Sequence, residues 1–387
     1  MIRVCHIVQS YYPRDPRIRR QAEALAEAGH QVDVVCLRNQ EERSREVING
    51  VNVIRMPLTR KRGGVGRYMV EYGAFFAMAF LYAAFTLHKR YQVYHVSNLP
   101  DFLVFSAAVP RLLGRKVLLD EHDLLPELFM SKYGLKETDL ATKVLRFQER
   151  LSLRFASEIL TVTQPFKDHY GAIVNNKRIS IVMNLPDDKL FLAPDGSRRF
   201  DKEGPFTLIY AGTVTAIYDL TLVVQAVARL RDRIGQIRLR IVGDGDSLDS
   251  LKALAAEMGV EDIVEFMGDK PFSAIPQLMA ESDVGISTLK LDPLTDKCFN
   301  NKTGEYVAMG LPSISTRTTA VADYYPADAV RLVEPGSVES IEEAILELYA
   351  SPELRRQMSA RGLEFSKRSN WSTEKVKYVS LIERIAG

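Results

Sequence analysis

The chain has 387 residues, with 51 lysines and arginines against 49 acidic residues and a net charge of only +2. A charge this close to neutral argues against a nucleic-acid-binding protein, and the length is sufficient for two α/β domains. The three cysteines, Cys5, Cys36 and Cys298, show no metal-site spacing and form no even disulfide set, which predicts a protein of a reducing cytoplasm.

The first half opens with an apolar strand over residues 3–9, a helix over 17–28 and a strand over 31–37. The first strand follows Met1 so closely that no signal peptide is expected. The turn before the helix has no G-x-G-x-x-G motif, which disfavours a nicotinamide-dependent dehydrogenase. Arg14 and Arg17 lie at this turn, where they either bind an anionic acceptor or belong to a solvated basic face.

Residues 63–89 are unusually apolar, and no charged residue lies between Tyr72 and Leu87. This run is shorter than the ~20 residues that cross a bilayer. Basic residues flank it, namely Arg60, Lys61, Arg62, Arg67, Lys89 and Arg90. The pattern predicts an interfacial helix on an anionic membrane, and the alternative is a helix buried against the sheet. The aromatic residues expected at the interface are Phe75, Phe76, Phe80, Tyr82 and Phe85.

A strand predicted over 116–119 delivers Asp120, Glu121, His122 and Asp123 at its carboxyl end, where open α/β sheets bind ligands. His122 either orients a hydroxyl group or stabilises charge there, and the alternative is a cluster that only caps and hydrogen-bonds. Asp101 lies in the loop that follows the preceding strand, predicted over 93–96.

A polar segment over 187–205 predicts a linker, after which strand, turn and helix alternate again. The predicted strands 206–211 and 237–242 end at Gly212 and Gly243, and glycine lets the backbone approach a phosphate closely. The sequence therefore predicts an α/β protein of two facing Rossmann-like, doubly wound domains, 1–190 and 191–370, with a cleft between them. We expect the helix in 371–387 to pack back on the first domain.

The densest polar stretch lies between a strand predicted over 284–289 and another over 313–316. A loop, 290–301, leads into a short helix, 302–309, so the unit is strand, loop, helix and strand. Lys297, Lys302 and Glu305 lie at the helix start, where free N–H groups suit a phosphate and a carboxylate can accept from two ribose hydroxyls. The alternative is a capped surface helix with solvated lysines.

Several short motifs, in this order and spacing, resemble the retaining glycosyltransferases of the GT-B fold, family 4. They are YYPRDPRIRR (11–20), LAEAGH (25–30), IYAG (209–212), IVGDG (241–245), EYVAMGLP (305–312) and LVEPG (332–336). With DEHDLLPE (120–127), the set is similar to enzymes that build bacterial surface polysaccharides. The resemblance covers nearly the whole chain.

The resemblance implies roles for individual residues. Glu305 matches the acidic residue that holds the nucleotide ribose, and His122 is positioned like the family histidine near the transferred sugar. The first acidic residue of the family's pair falls on Lys297. The family's basic residues after the first strand of the second domain fall on Thr213 and Tyr218, so we expect Lys297 and Lys302 to bind the diphosphate instead.

The expected catalytic residues are His122, Lys297 and Glu305. The expected donor-binding residues are Gly212, Thr213, Gly243, Lys270, Asn300, Asn301, Lys302, Thr303 and Glu305. Arg14, Arg17, Asp101 and Asp123 are expected to bind the acceptor. No metal is expected, because Asp244-Gly245-Asp246 fits a strand-to-helix turn with a helix cap better than a metal motif.

The sequence thus predicts a retaining hexosyl- or N-acetylhexosaminyltransferase of cell-surface polysaccharide biosynthesis. Its donor would be a UDP- or GDP-linked sugar, with no other cofactor, and its acceptor a glycan or a polyprenyl-diphosphate-linked glycan. We expect it in the cytoplasm, peripheral at the inner face of the membrane and bound to anionic lipid, with no nucleic-acid partner. The alternatives are a sugar-nucleotide epimerase of the same fold and a non-catalytic module that binds sugar nucleotide or lipid.

Overall fold

The computed structural model describes residues 1–60, 65–175, 177–193, 200–201 and 204–387, with the side chains of Val65 and Tyr68 excepted. Lys61 and Arg62, two of the predicted basic flank, lie outside the described residues. The chain divides into two compact units. The first comprises Met1–Met183 and Glu374–Gly387, and the second comprises Asn184–Thr373.

The first unit is built on an eight-stranded sheet in the order β3-β4-β2-β1-β5-β6-β7-β8. Its strands are β1 (Arg3–Tyr11), β2 (Gln31–Leu37), β3 (Arg45–Ile48), β4 (Val51–Met56), β5 (Val93–Ser97), β6 (Lys116–Glu121), β7 (Glu158–Thr161) and β8 (Ile179–Ile181). All neighbouring strands are parallel except β3 and β4, which form an antiparallel pair that the sequence analysis did not predict. The strand order reverses between β1 and β5, and ligands of such sheets bind at this point.

The helices of the first unit that precede the second unit in the chain are α1 (Pro16–Glu27), α2 (Val65–Phe85), α3 (Ala108–Leu112), α4 (Leu125–Tyr133), α5 (Leu140–Phe155) and α6 (Gln164–Ile173). A 3-10 segment, Asp101–Ala107, precedes α3. The strand predicted to end at 119 continues to Glu121. Asp120 and Glu121 are therefore strand residues, and His122 is the first residue beyond the strand.

The second unit has a six-stranded parallel sheet in the order β11-β10-β9-β12-β13-β14. Its strands are β9 (Phe206–Ala211), β10 (Ile237–Val242), β11 (Val264–Gly268), β12 (Val284–Ser287), β13 (Ser313–Thr316) and β14 (Val330–Val333). The helices are α7 (Leu220–Leu230), α8 (Leu248–Glu257), α9 (Ile275–Ala280), α10 (Asn301–Ala308), α11 (Thr319–Tyr324), α12 (Val338–Ala350) and α13 (Pro352–Arg368). The strand order reverses between β9 and β12. Two doubly wound parallel sheets confirm the predicted fold class.

The last helix, α14 (Trp371–Ala386), joins the first unit from Glu374 onward. The hydroxyl of Tyr378 lies 2.8 Å from Nδ1 of the buried His95 on β5. Arg384 donates to the carboxylate of Glu158 on β7 at 3.0 Å. These contacts attach α14 to the first sheet.

Helix α2 is partly a core helix, which corrects the expectation that its aromatic residues all lie at an interface. Phe75 is fully buried, together with Ala79 and Ala83 one and two turns later. The ammonium of Lys89 forms an ion pair with Asp33 at 2.5 Å. Phe85, in contrast, is exposed. Among the helices described, none combines the length and the apolar character needed to cross a membrane.

The second sheet contains a packing constraint at Gly285 on β12. A Cβ atom added there would lie 2.4 Å from Cγ of Tyr306, because the Tyr306 ring lies directly against the glycine backbone. The Tyr306 hydroxyl accepts a hydrogen bond from the backbone N–H of Ala211 at 3.1 Å, which fixes the ring in place.

We expect Gly285→Ala to lower the free energy of unfolding of the second unit by about 1–3 kcal/mol, since the buried ring cannot move aside without strain. Thermal unfolding followed by calorimetry measures the effect. Gly235→Ala is the matched control, because a Cβ there has no atom within 4 Å. Equal melting temperatures for the two variants would show that the sheet absorbs the extra methyl group.

Candidate active site

In the second unit, the turns after β9 and β10 pack backbone against backbone. Gly212 has φ of +147° and Gly243 has φ of +137°, values that side-chain-bearing residues rarely adopt. A Cβ at Gly243 would lie 2.0 Å from the carbonyl oxygen of Gly212, and one at Gly245 would lie 2.1 Å from that of Val214. The glycines thus make a closely packed backbone floor beside the point where the strand order reverses.

Lys302, in the first turn of α10, extends across this floor. A Cβ at Gly212 would lie 2.1 Å from Cε of Lys302, so the glycine provides the space that the lysine occupies. The Lys302 ammonium lies 3.5 Å from the centroid of the Tyr218 ring and 5.4 Å from that of Tyr210. Such cation–π contacts stabilise a partly buried ammonium by about 0.5–2 kcal/mol. Lys302 therefore lies against Tyr218, one of the two positions from which the family's basic residues are missing.

Hydrogen bonds fix the ring of Tyr210 and the backbone of Tyr218. The Tyr210 hydroxyl donates to the carbonyl oxygen of Thr213 at 2.6 Å, and the Thr288 hydroxyl donates to the carbonyl oxygen of Tyr218 at 2.5 Å. The turns that follow β9 and β12 are thereby connected. The platform beneath Lys302 is built from both strands that flank the reversal of strand order.

The start of α10 is fixed to the sheet by buried side chains. The Asn300 amide donates to the hydroxyl of Ser287 at 2.7 Å, and the Thr303 hydroxyl donates to that of Ser315 at 3.1 Å. Both side chains are buried, so the structure gives Asn300 and Thr303 contacts within the protein. Their backbone N–H groups remain part of a helix start with its positive dipole end.

The other predicted donor-binding residues differ in exposure. Lys297 and Glu305 are half-buried, while Thr213, Lys270 and Asn301 are exposed. Asp296, next to Lys297, caps α11, since its carboxylate accepts from the N–H and the hydroxyl of Thr319 at 2.8 and 2.9 Å. The loop is thus anchored on both sides of the two lysines.

Tyr325 packs against the first turn of α10, and the sequence did not predict a role for it. Its ring stacks on Phe299 with centroids 5.5 Å apart, and a Cβ at Gly304 would lie 3.1 Å from its hydroxyl. Burial, and then the charge of Glu305, raise the pKa of Tyr325 well above its usual value. The tyrosine is therefore a neutral, rigid support for the turn that carries Glu305.

In the first unit, His122 belongs to a buried polar chain. Its Nδ1 lies 3.0 Å from the carboxylate of Asp120, and its Nε2 lies 3.2 Å from the carbonyl oxygen of Asn98. The second carboxylate oxygen of Asp120 accepts from Gln21 at 3.0 Å and lies 3.2 Å from Nε2 of His95. Burial alone would raise the pKa of Asp120, but the charge of His122 and bonds from both histidines hold it well below its usual value. Asp120 is thus an ionised residue that orients His122.

A cavity of about 400 Å³ lies at the carboxyl ends of β1 and β5. Its polar lining consists of Gln9, Ser10, Asp15, Arg17, Arg60, Asn98, Asp123 and Lys132. Its aromatic lining consists of Tyr72 on α2 and Phe129 and Tyr133 on α4. Gln9 is buried, and its side-chain oxygen has no hydrogen-bond partner among the described residues. The cavity therefore offers cations, carboxylates, an unused acceptor and flat apolar surfaces.

The cavity brings together only some of the predicted acceptor-binding residues. Arg17 and Asp123 line it. Asp101 lies outside the lining and is buried, and burial followed by the charge of Glu149 raises its pKa. Arg14 is also outside the lining and lies 3.9 Å from the carboxylate of Glu42. Gln9, Arg60 and Lys132 were missed, because they come from three separate elements and belong to none of the short motifs.

Two family models match the chain. Residues 15–184 match the "Glycosyl transferase 4-like domain" and residues 205–351 match "Glycosyl transferases group 1". N-acetyl-alpha-D-glucosaminyl L-malate synthase of Bacillus anthracis is 24% identical over 239 residues, which are 60% of this chain and 56% of that protein. The lipopolysaccharide core biosynthesis glycosyltransferase LpsE of Rhizobium meliloti (strain 1021) is 31% identical over 147 residues, 36% of this chain and 38% of that protein. The chain therefore spans about half the length, or less, of these two relatives.

Solved structures match over the full length. Sucrose-phosphate synthase from Thermosynechococcus elongatus superposes with a TM-score of 0.79 at 18% identity, covering 100% of this chain and 99% of that one. Anabaena Alr3699/HepE, in complex with UDP-glucose, gives 0.73 at 14% identity, covering 99% and 100%. These likenesses support the fold, and the two family models account for most of each unit. The resemblance found in the sequence is confirmed: the chain belongs to the glycosyltransferases of the GT-B fold.

Proposed function

We propose that this protein is a retaining glycosyltransferase that moves a hexosyl or N-acetylhexosaminyl group from a nucleoside-diphosphate sugar to a lipid-linked glycan in surface-polysaccharide assembly. The observation that carries the proposal is Lys302, held against the backbone of Gly212 by the ring of Tyr218. An ammonium at a helix start, where the first N–H groups have no partner within the helix, suits a diphosphate. Glu305 follows within the same helix, where a carboxylate accepts from the ribose hydroxyls.

Two relatives support the choice of donor and product. Alr3699/HepE was solved with UDP-glucose, which favours a nucleoside-diphosphate sugar here. LpsE is a lipopolysaccharide core enzyme, which favours a glycan of the cell surface. The nucleotide-sugar is a co-substrate, and the proposal includes neither a metal nor a further cofactor.

The chemistry is a substitution at the anomeric carbon of the donor. The bond from this carbon to the diphosphate oxygen breaks, and a bond from the acceptor hydroxyl oxygen forms on the same face. The acceptor proton passes to the departing diphosphate. Lys302, Lys297 and the N–H groups at the start of α10 stabilise the charge that develops on the diphosphate, so no protein nucleophile is required.

The cavity in the first unit is the proposed acceptor site. Arg17, Arg60 and Lys132 suit an acidic group of the acceptor, and Gln9 and Asp123 suit its hydroxyl groups. Tyr72 and Met69, which also line the cavity, belong to α2. The exposed side of α2 is apolar, which favours an acceptor whose lipid part stays in the membrane while its sugar enters the cavity.

The rival functions are an epimerase, which converts the donor without an acceptor, and a module that only binds sugar nucleotide or lipid. The deciding experiment measures loss of UDP- and GDP-sugars with and without a polyprenyl-diphosphate-linked glycan. We expect loss that depends on the acceptor and a product one sugar longer with the anomeric configuration of the donor. Acceptor-independent conversion would favour the epimerase, and binding without turnover would favour the module.

The two lysines should contribute to binding of the diphosphate. We expect Lys302→Met to weaken binding of UDP or GDP by ~10-fold or more, since a charge-assisted contact contributes about 1.5–3 kcal/mol. Lys297→Met should weaken it as well. Calorimetric titration measures both, with Lys252→Met on α8 as the control for loss of one surface charge. Wild-type affinity in the Lys302 variant would remove this lysine from the donor site.

Substitutions of Glu305 and of His122 should change different kinetic parameters. Glu305→Gln should raise the donor KM by ~10-fold or more, because one ribose contact is lost in ground and transition states alike. His122→Ala should lower kcat strongly and leave nucleoside-diphosphate affinity nearly intact. Initial rates over a range of donor concentrations distinguish the two patterns. Normal turnover by the His122 variant at saturation, with nucleotide binding lost, would contradict the assignment.

A further inference from the structure

Helix α5 (Leu140–Phe155) is amphipathic, but its apolar side faces solvent and its mostly polar side faces the protein. Its exposed side carries Leu140, Val144, Phe147 and Leu151, with Leu140 78% and Phe147 63% exposed. The spacing of four, three and four residues places them in one stripe along the helix. Its buried side carries Thr142, Glu149, Ser152 and Leu153, which are mostly polar.

Ion pairs fix this orientation. Arg146 donates to Glu127 on α4 at 3.0 Å and lies 3.6 Å from Glu149. Nε2 of His169 on α6 lies 3.3 Å from Glu149 on the other side. Turning α5 to bury its apolar stripe would break these contacts and take Arg146 away from Glu127, a carboxylate that is buried on α4. The stripe is therefore held outward by the fold.

Neighbouring elements continue the apolar surface. Both α2 and α5 pack against the 3-10 segment Asp101–Ala107, through Phe76 on Phe102 at 5.7 Å and Phe105 on Phe155 at 4.9 Å. On α2, Phe85 is 77% exposed, and Leu112 at the end of α3 is 86% exposed. Adjacent helices of one unit thus expose large apolar side chains, more than the scattered residues of an ordinary surface.

The charges of α5 indicate what covers this surface. The exposed charged residues of the helix are Lys143, Arg150 and Arg154, and its one acidic residue, Glu149, is buried. An apolar stripe with a purely basic border is complementary to an anionic lipid surface. A second copy of the chain fits less well, because a symmetric contact along this helix would bring basic borders together.

We propose that the outward stripe of α5, continued by α2 and α3, is a docking surface for anionic lipid bilayers. The apolar side chains enter the interface, and the basic border selects negatively charged headgroups. The inference extends the membrane contact proposed for α2 to a second helix, and vesicle binding tests it without donor, acceptor or turnover.

The experiment is vesicle flotation with phosphatidylglycerol/phosphatidylcholine mixtures and with pure phosphatidylcholine. We expect Val144→Ser/Phe147→Ser to reduce partition into the mixed vesicles by ~10-fold or more, since each buried apolar side chain contributes strongly. Arg150→Glu/Arg154→Glu should reduce it too and flatten its dependence on salt. The control is Val376→Ser on α14, a residue 64% exposed, which should bind vesicles like the wild type. Unchanged melting temperatures show that the variants fold.

Three outcomes would overturn the inference. Normal flotation of the α5 variants, with loss in a Leu81→Ser/Phe85→Ser variant, would restrict docking to α2. No flotation of the wild type would exclude docking altogether. A wild-type dimer in lipid-free sedimentation that Val144→Ser/Phe147→Ser converts to monomers would make the surface an interface between copies. Transfer to a short water-soluble acceptor should persist in every variant, and its failure in the wild type would instead count against the proposed function.

Discussion

The proposed donor site depends on the close approach of Lys302 to Gly212. The glycine has a backbone conformation that other residues rarely adopt, and its missing side chain is the space that the lysine fills. The Tyr218 ring then holds the ammonium beside the backbone of Gly212. Because the lysine belongs to α10 and the tyrosine follows β9, the arrangement exists only when the sheet brings the two turns together. The ammonium lies against aromatic rings, and no acidic side chain in the described part of the chain pairs with it and would compete with a phosphate.

The first unit positions its key residue differently. His122 is oriented by a buried, ionised carboxylate, Asp120, which is itself held by Gln21 and His95. A charge in this environment is stable only because every carboxylate oxygen has donors. The lysine of the second unit is thus positioned by packing on a tyrosine ring, whereas the histidine of the first unit is positioned by hydrogen bonds to a buried carboxylate.

Much of the fold could be predicted because its strands are apolar runs bounded by glycine, proline or polar residues. Strands β9, β10 and β13 have the predicted bounds. The hairpin of β3 and β4 was missed, since β3 has four residues, of which two are charged and none is buried, and it carries little apolar signal. Asp101 looked accessible because it follows a strand, yet the 3-10 segment turns it inward. The platform of Tyr218 beneath Lys302 joins residues far apart in sequence, and no local pattern reports such a contact.

The attachment of α14 has a consequence for how the chain folds during synthesis. The first unit needs Tyr378 to meet His95 and Arg384 to meet Glu158, and these partners are made only after the whole second unit. When residues 1–183 have emerged from the ribosome, the side chains of His95 and Glu158 therefore still lack their contacts with Tyr378 and Arg384. The second unit, Asn184–Thr373, is continuous in sequence, so all of its residues are synthesised before the last segment of the first unit. The unit whose synthesis begins first is thus completed after the other, and it can close only once α14 has been synthesised.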